Sequence, residues 1–137
     1  MQRLPDWSLR LERLVRERLL MPFCWGLNDC ALYAADSVLA CTGMDPAHDL
    51  RGTYCTALQA ARVMRRHGGL AGLAASRLGE QVPAAMAQRG DVGISPQRDG
   101  AALLVVCNGT SWLAPSRFGL ATAAQPAMAW RAARCLS

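Results

Sequence analysis

The sequence contains no lysine: all 15 of its basic residues are arginine, set against 10 acidic residues for a formal net charge of +5. Arginine forks suit bidentate contact with phosphates. Here they are scattered, with only Arg65 and Arg66 adjacent, and no aromatic residues interleave with them. No nucleic-acid track is expected from such a pattern, and codon preference is the simpler source of the bias. No apolar run approaches the length needed to span a bilayer. The opening MQRLPDWSLRLERLVRERLL is broken by Asp6, Glu12 and Glu17 and lacks a secretory core with a small-residue cleavage site, so no signal peptide is expected. No C-x-x-C pair occurs among the six cysteines, which leaves zinc and iron–sulfur binding without a motif and no cofactor expected. Histidine is scarce too. His48 and His67 are the only two, and none follows in the second half.

What is present argues for a folded chain. Hydrophobic residues make up 52% and charged residues 18% of 137 positions, the balance of a globular domain with its own core. No repeat or linker divides it, so one domain is expected over 1–137, with an N-terminal helix in 1–21 and the core in 22–137. Without a secretion signal the thiols are expected to be reduced. Cys24, Cys41, Cys55, Cys107 and Cys135 read as small apolar residues in or near the core.

The first half has helical patterning. Asp6 can cap a helix with Trp7, Leu11, Leu14 and Val15 on one face and Arg10, Arg13, Arg16 and Glu17 on the other, ended by Pro22. A loop, 23-FCWGLN-28, leads into a second helix over 29–43, capped by Asn28 or Asp29 and stopped by Gly43. That helix is apolar nearly all round and belongs in the core. Thr53 is placed to cap a third helix over 54–69, and 70–78 suggests a further helical turn. Strand patterning follows in 89–95, in 101–109 with its Asn108-Gly109 turn, in 110–114 and 119–123, and in 128–136 with Trp130 inward. Helices before strands predict an α+β fold, the helices packed on an antiparallel sheet.

Within 22-PFCWGLNDCALYAAD-36, Cys30 falls at the first turn of the buried helix. A helix N-terminus carries partial positive charge and unpaired amides, which favour a thiolate. The glycine-containing loop before it leaves room for a substrate. A catalytic thiol also needs a base, most often histidine. His48 lies in a polar loop and His67 at a helix end, where a C-terminal charge explains it. Asp36, Asp45, Asp49 and Asp91 read as solvated or turn residues. Position alone therefore leaves Cys30 either a nucleophile or one more core cysteine.

Pro22-Phe23-Cys24-Trp25-Gly26 followed by Asp29-Cys30 resembles the signature of the NlpC-type, papain-like cysteine peptidases. Gly90-Asp91-Val92 resembles the step into their first core strand, and 102-ALLVVCNG-109 the strand after it. The pattern is also similar to a compact phage and prophage branch found in tail-gene clusters. It shares the Asp45-Pro46…Arg51-Gly52-x-Tyr54 loop and the closing Ala129-Trp130-Arg131. The resemblance spans about Pro22 to Arg131. It implies a papain-like fold with Cys30 as the candidate nucleophile and Asp29 as its motif neighbour. It also implies a histidine base at the start of the second strand, where Ala102 or Leu103 stands instead. The expectation that follows is a bacteriophage tail component at the distal tip or hub, more structural than enzymatic. It would be made in the host cytoplasm and carried in the virion tail. Its partners would be hub, distal-tail and tape-measure proteins, with peptidoglycan as a further contact. The alternative is an active peptidase or amidase that cuts cell-wall peptides through Cys30.

Overall fold

The computed structural model describes residues 2–97 and 101–133. Four helices come first: α1 (Trp7–Arg18), α2 (Cys30–Thr42), α3 (Ala57–Arg66) and α4 (Gly69–Arg77). Six strands follow: β1 (Gln81–Pro83), β2 (Val92–Pro96), β3 (Ala102–Cys107), β4 (Trp112–Ser116), β5 (Gly119–Ala123) and β6 (Met128–Trp130), with a 3₁₀ turn at Ala84–Met86. They form one sheet in the order β1-β6-β2-β3-β4-β5, every pair antiparallel. The fold is α+β, as the helix-then-strand order predicts.

The hydrophobic pattern explains the layering. Side chains alternate along β3, so Leu104 and Val106 face α2 while Val105 and Cys107 face away. On the first face they pack with Leu11 and Leu14 of α1 and Tyr33, Val38 and Cys41 of α2. The far side of α2 packs through Leu32 and Ala35 against Ala60 and Val63 of α3, Leu73 of α4, and Ala47, Leu50 and Tyr54 of the preceding loop. The apolar helix thus finds apolar neighbours on both its sheet-facing side and its α3–α4 side. The second sheet face is closed by its own chain. Ser95 Oγ donates to the Ala124 carbonyl, and Gly93 lies so close under Pro126 that a Cβ would sit 2.5 Å from its Cγ. Trp130 is buried, as expected, and Trp112 is buried with it in the sheet layers.

Several boundaries differ from the sequence pattern. The third helix begins at Ala57, not Tyr54, and its cap is Thr56, whose Oγ accepts from the Gln59 amide at 3.2 Å. Thr53 instead donates to the Leu50 carbonyl at 2.5 Å. Tyr54 is drawn into the core, which holds the chain out of helical geometry there. Asp6 stands at the start of α1 without a side-chain capping bond. β1 goes unannounced by periodicity because it has three residues and ends in proline. The last strand stops at Trp130; residues 134–136 of the expected strand, and Cys135, lie outside the described residues. No helix among the described residues is long and apolar enough to cross a membrane.

Candidate functional site

The segment before α2 is a tightly bonded loop. Cys24 pairs with Asn28 as an isolated bridge, and its carbonyl accepts from the amides of Leu27 (3.1 Å) and Asn28 (2.8 Å). The buried Asn28 side chain donates to the carbonyls of Met21 and Pro22 and accepts from Arg18 at 3.0 Å. Gly26 has φ +82°, and a Cβ there would lie 2.3 Å from the Tyr54 carbonyl oxygen. Only glycine permits that approach.

Asp29, and not Asn28, caps α2. Its buried carboxylate accepts from the Leu32 amide at 2.9 Å, the Gly26 amide at 3.0 Å and the Tyr54 hydroxyl at 2.7 Å. A buried charge persists only when hydrogen-bonded. Three donors meet that condition and tie the loop, the helix start and Tyr54 together. Burial and, after it, the bond to Asp29 keep the Tyr54 phenol protonated far above its ordinary range. The motif neighbour is therefore an anchor, its carboxylate spent on holding the loop, the helix start and Tyr54.

Cys30 is the first residue of α2, half-buried, and opens on a cleft of about 200 Å³. Trp25, Tyr54, Ala57, Met64, Leu70 and Ala102 are among its walls. Burial pushes the thiol up to about 11, and the adjacent Asp29 charge adds to the rise. A backbone hydrogen bond from Leu104 and amides at the helix start pull the other way without prevailing. At pH 7 the thiolate is about one part in ten thousand. The helix N-terminus alone does not make this cysteine a ready nucleophile.

The first residue of β3 facing this cleft is Ala102, while Leu103 packs on the opposite side of the sheet. No histidine lines the cleft among the described residues: His48 is exposed in the loop after α2, and His67 is the C-cap of α3. No group of three or more His, Cys, Asp or Glu among the described residues could hold a metal ion.

The Asp45–Tyr54 loop connects α2 to α3 and gives the cleft one wall through Tyr54. Arg51 bonds Asp45 at 2.7 Å and reaches Asp36 of α2 at 2.5 Å, and Asp36 also receives Arg18. Arg77 of α4 holds Asp49 and the Pro46 carbonyl from outside. This corrects the reading of Asp36 and Asp91 as solvated or turn residues, while Asp45 and Asp49 do lie in the loop and Asp49 is exposed. Asp36 joins three segments. Asp91 is fully buried and takes Arg3 at 3.0 Å, Arg131 at 3.1 Å and the amides of Gln88 and Ala132. The Gly-Asp-Val and Ala-Trp-Arg segments thus meet in space through Asp91 and Arg131. Nothing in their spacing announced that contact. Two cysteines are corrected as well: Cys24 and Cys55 are exposed, whereas Cys41 and Cys107 are buried as expected.

A family model described as a domain of unknown function, DUF6950, matches residues 2–132. No curated protein and no solved structure matches the chain.

Proposed function

The chain belongs to the DUF6950 family, and we propose that it is a bacteriophage or prophage tail protein, a structural part of the distal tail tip or hub built on a degenerate NlpC-type papain-like fold. The observation that carries this reading is Ala102. It faces the cleft that holds Cys30, at the strand position where the resembled peptidases keep their base. A methyl group there accepts no proton, and general-base help is worth about 100- to 10,000-fold in rate. The protonated Cys30 thiol and the anchoring role of Asp29 agree with a lapsed site. The surface suits assembly: Leu20 and Phe118 are about four-fifths exposed on segments joined by the Leu120 amide to Leu19 carbonyl bond. Exposed apolar side chains of this kind serve as contact patches.

The partners proposed are hub, distal-tail and tape-measure proteins, with the chain made in the host cytoplasm and carried in the virion tail. Quantitative mass spectrometry of purified particles is the test. The expected result is the protein at a fixed low copy number relative to major tail proteins. Its absence from particles and from all assembly intermediates would sink the proposal. The competing reading, a cysteine peptidase or amidase acting through Cys30, draws on the opening of that thiol to the cleft. It requires Cys30→Ser to abolish the biological role, whereas a structural part tolerates that change.

A further inference from the structure

Cys24 and Cys55 come from the loops on either side of α2, and both are exposed free thiols. They line one hollow of about 600 Å³ together with Gly26, Gly52 and Gln59. The two loops touch backbone to backbone: a Cβ on Gly26 would stand 3.3 Å from the Cys55 Cα as well as against the Tyr54 carbonyl. The Cys24 carbonyl closes the tight turn that carries Gly26, the Cys24 thiol lies 3.9 Å from the Trp25 carbonyl, and Gln59 Oε1 accepts from the Cys55 amide at 2.8 Å. Each cysteine is next in sequence to a wall of the Cys30 cleft, Trp25 for one and Tyr54 for the other. The tail reading uses neither thiol.

We propose that Cys24 and Cys55 form a thiol pair which a low-molecular-weight disulfide such as oxidised glutathione converts to an internal disulfide, fixing the Trp25 wall to the Tyr54 wall across the mouth of the Cys30 cleft. The Cys24 thiolate attacks one sulfur of the small disulfide. A mixed disulfide forms and one small thiol leaves with a proton. The Cys55 thiolate then attacks the Cys24 sulfur and expels the second small thiol. Two electrons pass from the cysteine pair to the small disulfide, which is reduced to two thiols. Either cysteine can begin the exchange, since both are exposed. The buried Cys41 and Cys107 are shielded from it.

The full chain is incubated with oxidised glutathione, digested without reductant and mapped by mass spectrometry. The expected result is a link between the peptides carrying Cys24 and Cys55. That link is retained in Cys30→Ser. It is lost in Cys24→Ser and Cys55→Ser, each of which carries a glutathione adduct on the remaining member of the pair. In the linked protein, iodoacetamide should label Cys30 more slowly than in the reduced protein. Glutathione adducts on both cysteines without a link, a link through Cys30, Cys41 or Cys107, or an unchanged Cys30 labelling rate would each overturn the proposal. Particle composition does not enter this test, so it stands or fails apart from the tail reading.

Discussion

At position 29 a buried carboxylate receives three donors, and at position 102 a methyl group faces a thiol across a cleft; these two residues decide what the site can do. Tyr54→Phe removes one donor from the Asp29 carboxylate and should cost about 1–3 kcal/mol, read as a lower urea midpoint with unchanged slope. Ala102→His restores a base on the cleft wall. If the proposed ancestry is right, iodoacetamide labelling of Cys30 should accelerate near neutral pH and its pH profile should move to lower pH. Labelling indistinguishable from the parent chain would show that the strand does not aim position 102 at the sulfur. The sequence marked Cys30 and the missing histidine. It left open which of Asn28 and Asp29 caps the helix and which of Ala102 and Leu103 faces the cleft. Both depend on side-chain direction, which the neighbouring loop and the sheet register set.

Helix α2 is the element to which the rest is attached. Its N-terminus is held by Asp29, its middle by the Arg18–Asp36–Arg51 ion pairs, and its end by Gly43 in the left-handed region. Gly26→Ala attacks the loop that leads into it. The new methyl would overlap the Tyr54 carbonyl in a backbone conformation that L residues avoid. A loss of at least about 2 kcal/mol in chemical denaturation is expected. Full stability in this variant would mean that the Gly26–Tyr54 approach is not needed. Arg51→Met breaks the bonds to Asp45 and Asp36 and should loosen the Asp45–Tyr54 loop. Faster amide hydrogen exchange in that loop, with α1 unaffected, would report it. Helix periodicity and glycine placement made this element readable. The start of α3 was not, because burial of Tyr54 outweighs the local preference for a cap at Thr53.

Across the whole molecule, thiol burial couples stability to alkaline pH. Burial raises Cys30 from its ordinary 9.0 to about 11, and Cys41 and Cys107 are raised too. Below pH 9 both folded and unfolded chains keep these thiols protonated, so the full stability is present. Between pH 9 and about 11 the unfolded chain ionises first, and stability falls as pH rises. For Cys30 the loss is on the order of 3 kcal/mol. Urea midpoints across that window should drop, and Cys30→Ala should flatten the slope. A slope identical to the parent's would exclude Cys30 as its source. Asp91 acts at the same scale, since it joins Arg3, ahead of α1, to Arg131, after β6. Asp91→Ala should cost several kcal/mol, because two arginines lose a shared buried partner; a cooperative urea transition within 1 kcal/mol of the parent's would contradict this, that margin being about what a minor surface change costs.

The sequence by itself determined that helices precede strands, the α+β class, the all-round apolar helix and the cysteine at its head. Those features depend on local periodicity, caps and turn residues, which act over a few positions. Only the tertiary structure decided that Asp29 is spent as an anchor and that Asp91 meets Arg131. It alone put Cys24 and Cys55 on one exposed hollow while Cys41 and Cys107 went inside. Burial and long-range pairing depend on which distant segments come together. For Cys30 the two levels oppose each other. The helix start favours a thiolate, the surrounding core disfavours it, and the core prevails.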